Sequence, residues 1–531
     1  MAQATRRSGW RTLAPLATAA LISACGGGGN EAVDDTDTPL TAGVDRAQAL
    51  VASATSPNCL RVPAAGTPTG QRQVRDFGAL PDDNRDDTDA IQRALDAMRA
   101  GETLVFSPGR YLISRSLRVH HPGITITGAN ATIHATNPND QALIIEADNT
   151  TVSSLTFTAV TDVRRSAAWH SRIVVAADIG GGNYRYVYNT VIRDNRIVAA
   201  GPPGSSTANS ASAGAILLLR ANGFLVSGNT IARTLADGIH VTAGSKNGRI
   251  LNNIVHETGD DMISMVSYTS SSRPVSPATV LANWNTRVES YLVRNVLVAG
   301  NQLYGQYWGR GISVVGGQSI TISRNTLDNV PLAAGVFLAR EAGWQTFGVE
   351  NVLIENNLIR DVQTMSPPYD FQNTFARASR TGHGAVEIQA GLFEDEAANV
   401  TLRELVAVRN VLVRLNVIDR ATFTAARAGV NLVQTLMLTD ASGSSVVRNV
   451  VAGKVHNVGF ANNQFNHVIG YNTPGRAALR VPSVELSTQG VYCTGNNRDG
   501  PVYQPSVCKQ AAEPAVRGAP LNCSPEGVLL Q

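Results

Sequence analysis

From Asn195 onward one short phrase keeps returning along the chain: an apolar pair, an Asn, then an apolar strand. It reads Ile192-Arg193-Asp194-Asn195-Arg196-Ile197, then Val226-Ser227-Gly228-Asn229-Thr230-Ile231, then Leu251-Asn252-Asn253-Ile254-Val255. It recurs at Ala299-Gly300-Asn301, Ser323-Arg324-Asn325, Glu355-Asn356-Asn357, Leu415-Asn416-Val417 and Arg448-Asn449-Val450. Asn253 follows Asn229 by 24 residues, as Asn325 follows Asn301; the 48 residues from Asn253 to Asn301 fit two coils, or one coil carrying a loop. Self-similarity at such a period means stacked units that bury a continuous core only together. Short strands separated by bends, repeating about every 4.8 Å along an axis, satisfy that pattern. Asn suits the bends because it tolerates the left-handed conformation, and stacked copies can hydrogen-bond one another.

The predicted fold is therefore all-β, a single right-handed parallel β-helix with a 24-residue coil. Gly238-Ile239-His240-Val241 and Gly311-Ile312-Ser313-Val314 alternate as its strands should, with Ile and Val inward. A leucine-rich repeat is the rival architecture, but its Leu-rich consensus and regular helical segments are missing. A length of 531 residues would ordinarily suggest several domains. Abundant Gly, 16% charged and 5% aromatic residues suit one long stack of strands and tight turns instead. The net charge of +3 is small and the basic residues are scattered, which argues against nucleic acid as a partner.

The N-terminus reads as a targeting segment. Arg6, Arg7 and Arg11 precede the apolar run 13–24, which is shorter than the ~20 residues that span a bilayer. The run ends in Leu21-Ile22-Ser23-Ala24-Cys25, which resembles the lipobox of bacterial lipoproteins. That resemblance implies a diacylated Cys25 after cleavage, and Gly26 behind it implies the outer membrane, on either its periplasmic or its cell-surface face. Residues 1–25 are then signal peptide, 26–70 a flexible tether and N-terminal extension, 71–480 the β-helix, and 481–531 a C-terminal cap with a Cys-containing tail. Four further cysteines remain, Cys59, Cys493, Cys508 and Cys523. An even number in an exported chain predicts two disulfides, with three connectivities open. None falls between residues 60 and 492, so the bridges would tie the ends and leave the middle free.

The body opens with Val74-Arg75-Asp76-Phe77-Gly78-Ala79, then Asp86-Asp87-Thr88-Asp89-Ala90-Ile91-Gln92, then Pro108-Gly109-Arg110-Tyr111. Asp89 with Gln92 predicts a capping box, Ile91, Leu95 and Met98 one apolar helix face, and Gly101 the stop. Segment 74–113 resembles the opening of the pectate-lyase superfamily, in which such a helix plugs the end of the β-helix and shields its edge. The superfamily's chemistries differ widely, so this resemblance bears on fold and not on reaction. Segments 163–189, 200–213, 268–290, 362–383 and 391–406 interrupt the coil rhythm and are expected to project as loops beside a binding face.

Three consecutive strands carry the candidate chemistry: Ala236-Asp237-Gly238-Ile239-His240, Asp260-Asp261-Met262-Ile263-Ser264 and Gly309-Arg310-Gly311-Ile312-Ser313. Aligning the inward Ile residues puts Asp237, Asp261 and Arg310 in one column and His240, Ser264 and Ser313 in another that faces outward. The two carboxylates would lie about 5 Å apart, close enough to raise one pKa or bind a cation. These strands resemble polygalacturonase-type glycoside hydrolases of family 28, and Asp237, Asp260 and Asp261 match that family's carboxylates. The resemblance implies that they share the general acid and the water-activating base. The chain departs where Arg310 replaces the family's His, and where Phe337 and Ala339 replace its sugar-binding Arg and Lys.

Asp237, Asp260, Asp261 and Arg310 also resemble the parts of a pectate-type lyase, with the carboxylates on Ca²⁺ and Arg310 as base. Asp and Gly are equally the ordinary residues of tight bends, and Arg310 could simply be paired with Asp261. The substrate-contact candidates are His240, Tyr307 and Trp308, joined by His383 in Gly382-His383-Gly384 and by Glu387 further along the same groove. The exposed aromatics Tyr304, Tyr369 and Phe371 suit stacking on sugar rings. The expected function is an extracytoplasmic carbohydrate-active enzyme that cleaves a polysaccharide, with acidic polymers among the candidates, by hydrolysis without a cofactor. The alternatives are a Ca²⁺-dependent lyase or epimerase using Arg310, or a non-catalytic glycan-binding or structural surface lipoprotein. A monomer is expected.

Overall fold

A computed structural model of the chain describes residues 70–161, 163–180, 183–198, 211–271, 275–306, 309–362 and 383–420, with shorter segments from 430 to 519. Cys25, Cys59, Cys523, Tyr307, Trp308, Tyr369, Phe371 and Asn449 lie outside the described residues.

The chain is a right-handed parallel β-helix. One face is a 12-stranded sheet: eleven strands, one from each coil, run on from Leu117–Val119, and Val450–Ala452 joins Val386–Phe393 antiparallel. It passes through Ile216–Leu219, Ile239–Thr242, Ile263–Val266, Ile312–Val315, Val336–Arg340 and Val386–Phe393. The remaining faces form a continuous 25-stranded sheet. Register fixes the coil: Ile239 pairs with Ile263, and Ile254 pairs directly with Gln302. The 48-residue interval is thus one coil with an insertion, which holds the helices Pro277–Leu281 and Trp284–Tyr291. Inward Ile, Val and Leu from every face merge into one buried core that runs the length of the stack. Stacking also continues past residue 480, since Tyr492–Thr494 and Asn497–Arg498 pair with the preceding coil.

The Asn phrase is a ladder. Asn195, Asn229, Asn253, Asn301, Asn325, Asn357, Asn416, Asn463 and Asn496 are all buried. Each but the last donates from Nδ2 to Oδ1 of the next copy at 2.9–3.1 Å. The left-handed residue is the one before each rung, not the rung itself. Asp194, Gly228, Asn252, Gly300, Arg324, Asn356, Leu415, Asn462 and Gly495 have φ between 53° and 67°.

The predicted cap helix spans Thr88–Asp96 and buries Ile91 and Leu95 against the first coils. Its N-terminus has no side-chain cap, so the expected capping box of Asp89 and Gln92 does not form. Gln92 instead completes a strand edge: its amide donates to the Arg118 carbonyl at 3.0 Å and accepts from the Arg118 N–H at 2.9 Å. Asp87 accepts the N–H groups of Leu80 and Leu112, both at 3.0 Å, which pins the helix to the coil end.

Two interruptions are more regular than expected. Segment 163–189 contains Ile173–Val175, a full member of the 12-stranded sheet, followed by the antiparallel pair Ala177–Gly180 and Asn183–Arg185. Residues 391–393 still belong to the strand Val386–Phe393, and the excursion after it folds as helices Glu394–Ala398 and Val400–Leu405. A disulfide joins Cys493 to Cys508 within the C-terminal region.

Candidate active site

Inward packing of Ile239, Ile263 and Ile312, all fully buried, sets the phase of three adjacent strands. Their outward partners are then fixed: His240 pairs with Ser264, and Ser264 with Ser313. One step before each strand, the Gly238 N–H bonds to the Asp261 carbonyl and the Met262 N–H to the Arg310 carbonyl. Asp237, Asp261 and Arg310 therefore stack in successive coils at the edge of the sheet. Gly309 has φ +78°, and a Cβ there would come within 2.6 Å of the Asp260 backbone, so the chain passes the carboxylates only as glycine.

Asp237, Asp260 and Asp261 each offer a carboxylate oxygen within 4.8 Å of the other two. Asp237 and Asp260 keep 18% and 22% of their side-chain surface exposed, whereas Asp261 keeps 6%. A different basic side chain holds each one. His240 Nδ1 lies 3.3 Å from Asp237 and 2.8 Å from the Ser264 hydroxyl. Arg164 is paired with Asp260, and the Arg310 guanidinium lies 3.7 Å from Asp261. Asp261 also accepts the Arg310 backbone N–H at 2.7 Å and the Ser313 hydroxyl.

These surroundings drive the carboxyls apart. Burial opposes the charge on Asp237, but the charge and hydrogen bond of His240, helped by Arg164 and Ser264, outweigh it and hold the group below the usual range. Burial pushes Asp261 up to about 7; Arg310 and Ser313 oppose the rise, while Asp260 and Asp237 add to it. Burial would lower His240, yet Asp237, Asp261 and Asp260 raise it overall.

Arg310 is firmly engaged. Its guanidinium sits 4.4 Å from the Phe337 ring centroid and 3.0 Å from Glu341. Burial lowers its pKa, but the four carboxylates around it raise it beyond the ordinary arginine value.

Other expected contacts shift in role. His240 is not a free surface group; it is locked between Asp237 and Ser264. His383 lies against Phe337, with ring centroids 5.1 Å apart, and it leads into the strand two coils beyond that of Arg310. Glu387 is fully buried and accepts the Gly384 N–H at 2.8 Å, so it lies beneath the groove instead of lining it. Arg164 and Glu341 escaped the sequence reading. Arg164 reaches Asp260 across 96 residues, and only the basic pair Arg164-Arg165 inside a rhythm-breaking segment hinted at it.

The cluster as folded fits Ca²⁺ poorly. Three oxygens are close enough to share an ion, but Arg164, Arg310 and His240 already compensate their charge.

No curated protein matches the chain. Among solved structures, the catalytic unit of the GH87 α-1,3-glucanase from Streptomyces thermodiastaticus strain HF3-3 is 15% identical with a TM-score of 0.44, covering 82% of this chain and 70% of that one. The A-module of mannuronan C-5 epimerase AlgE4 from Azotobacter vinelandii is 16% identical with a TM-score of 0.42, covering 77% and 100%. The family 28 exopolygalacturonase of Yersinia enterocolitica is 13% identical with a TM-score of 0.43, covering 81% and 79%. Likeness at this level carries no argument about chemistry. A family model described as rhamnogalacturonase A/epimerase, pectate lyase-like, matches residues 71–359, more than half of the chain and all of the carboxylate cluster. The chain belongs to that pectate lyase-like family.

Proposed function

We propose that the protein is a carbohydrate-active hydrolase with its reaction centre at Asp237, Asp260 and Asp261. The supporting observation is geometric: three carboxylates within 4.8 Å of one another, two of them partly open, at the outer edge of three stacked strands. Asp237, held ionised, is suited to activate water, and Asp261, which burial pushes up to about 7, is suited to protonate the leaving oxygen. In the step, the glycosidic C–O bond breaks and the water oxygen bonds to the anomeric carbon. One water proton goes to Asp237, and the leaving oxygen takes the proton of Asp261.

The lyase alternative is less well supported. An arginine that removes a proton must first lose its own, yet Arg310 is stacked, ion-paired and held more firmly protonated than usual. Export and lipid anchoring through Cys25 belong to the same proposal and place the enzyme outside the cytoplasm.

The test is release of reducing ends from rhamnogalacturonan, polygalacturonate and the neutral α-glucan pullulan. Asp237→Asn and Asp261→Asn should each lower turnover by at least ~10². Activity should fall as pH rises through about 7, where Asp261 loses its proton. Arg310→Gln removes a cation that lowers the Asp261 pKa, so it should move that limb to higher pH. Unsaturated, ultraviolet-absorbing products would indicate elimination, and unchanged glycan affinity with no turnover in the wild type would indicate a binding protein.

A further inference from the structure

An open groove along the 12-stranded face would let a long polymer lie across the carboxylates. The outward column of that face runs Arg118, Ile144, Val174, Leu217, His240, Ser264, Ser313, Phe337, Glu387. On the N-terminal side of the cluster, Ile144 and Val174 are 7% and 1% exposed, because Ala168, Trp169 and Tyr184 pack over them. A small cavity of about 20 Å³, enough for a water, lies beside Ile144, Trp169 and Val174.

The C-terminal side is closed as well. Ser313, Phe337 and Glu387 are fully buried. Beside them, Val315 and Ala339 pack with Phe337 under Tyr268. Tyr268 is bridged to Thr346, and the Phe347 and Thr269 N–H groups bond to Ser267 and Gln345 at 2.9 and 3.0 Å. Segments 267–269 and 345–347 thus form a paired wall where these strands end, with Tyr268 reaching over the face and Trp344 leaning on it at 6.2 Å. A buried network anchors the wall: Arg340 and Glu396, each 1% exposed, pair at 2.7 Å, and Gln345 bonds to Glu396 at 3.2 Å. Between the two closures, partly exposed positions of the column extend only from Leu217 to His240, with buried Ser264 the next rung. That is two strand spacings, ~10 Å.

We propose that the protein acts on chain ends, admitting one or two terminal sugars to a pocket closed along the axis on both sides. The inference rests on the hydrolase reading and specifies its mode. It also assigns the buried Arg340–Glu396–Gln345 network a purpose, which is to hold the wall that stops a polymer from passing through.

The full-length protein on rhamnogalacturonan, polygalacturonate and pullulan distinguishes the possibilities. The expected result is mono- or disaccharide from the first time points on at least one polymer, with its viscosity almost unchanged. A rapid fall in viscosity with a ladder of oligosaccharides overturns the closed pocket and leaves hydrolysis standing. No product from any polymer overturns both. Tyr268→Ala with Trp344→Ala lowers the C-terminal wall, and Trp169→Ala loosens the N-terminal closure; at least one should add internal cleavage to the products. If both variants fold and keep the wild-type product pattern, the walls do not set the mode and the inference fails.

Discussion

At the scale of single residues, Asp261 sets folding against chemistry. Its carboxyl is buried, and its pKa rises from the ordinary ~3.9 to about 7. A raised carboxyl pKa stabilises the fold in full below the unfolded value, and that contribution is lost as pH rises through the folded one. At pH 8 the ionised group is therefore a burden on the native state. Asn in its place stays neutral, can accept the Arg310 N–H and can donate to the Ser313 hydroxyl. Asp261→Asn is expected to be more stable than wild type at pH 8, on the order of 2 kcal/mol, with the gain fading toward pH 4. Urea denaturation at the two pH values checks this, and a loss of stability at pH 8 would show that the Arg310 pairing outweighs burial. Asp237, with its depressed pKa, behaves oppositely, and its stabilisation is lost as pH falls below the usual carboxylate range.

At the scale of elements, the Asn ladder is what joins coil to coil. Asn301 accepts both the backbone N–H and the side-chain amide of Asn253, at 2.9 and 3.0 Å, and donates to Ile250, Ala299 and Asn325. Ala at this position leaves several buried groups without partners, each costing ~1–3 kcal/mol. Asn301→Ala should lower stability by about 3 kcal/mol or more in chemical denaturation; a change under ~1 kcal/mol would mean that water replaces the rung. The ladder also explains Leu415, an aliphatic residue with φ 54° and 41% exposure. Left-handed backbone costs a residue of this kind ~1–2 kcal/mol, and Asn416, bonded to Asn357 and Asn463, holds it there.

At the scale of the whole molecule, the stack is quasi-one-dimensional, so its ends need protection. The helix Thr88–Asp96 covers the first coil, and Gln92 supplies the edge hydrogen bonds that a further strand would have made. If Cys25 is the lipid attachment point, residues 26–70 are long enough to hold the rod clear of the membrane surface. Cys25→Ala should then move the protein from the membrane to the soluble fraction of fractionated cells, with the fold unchanged. A protein that is soluble with Cys25 intact would remove the anchor from the proposal.

The coil could be read from the sequence because its signals are local. Asn at a fixed interval, Ile and Val in alternation, and the Asp-Asp-Thr helix opening each act within a few residues, and stacking repeats them. The same regularity aligned Asp237, Asp261 and Arg310, since inward Ile239, Ile263 and Ile312 leave only one register. The pairing of Arg310 with Asp261 was legible in that column, whereas the partners beyond it were not. Arg164, Glu341 and the wall of segments 267–269 and 345–347 come from excursions outside the repeat, where no periodicity says where a side chain lands. Glu387 shows the same limit, because its strand position was correctly outward and the tertiary cover then buried it. The sequence by itself determined the rod and the column of charge on its edge. Only the tertiary structure decided that Arg164 reaches Asp260 and how much of the face stays open, because both depend on contacts between residues far apart in the chain.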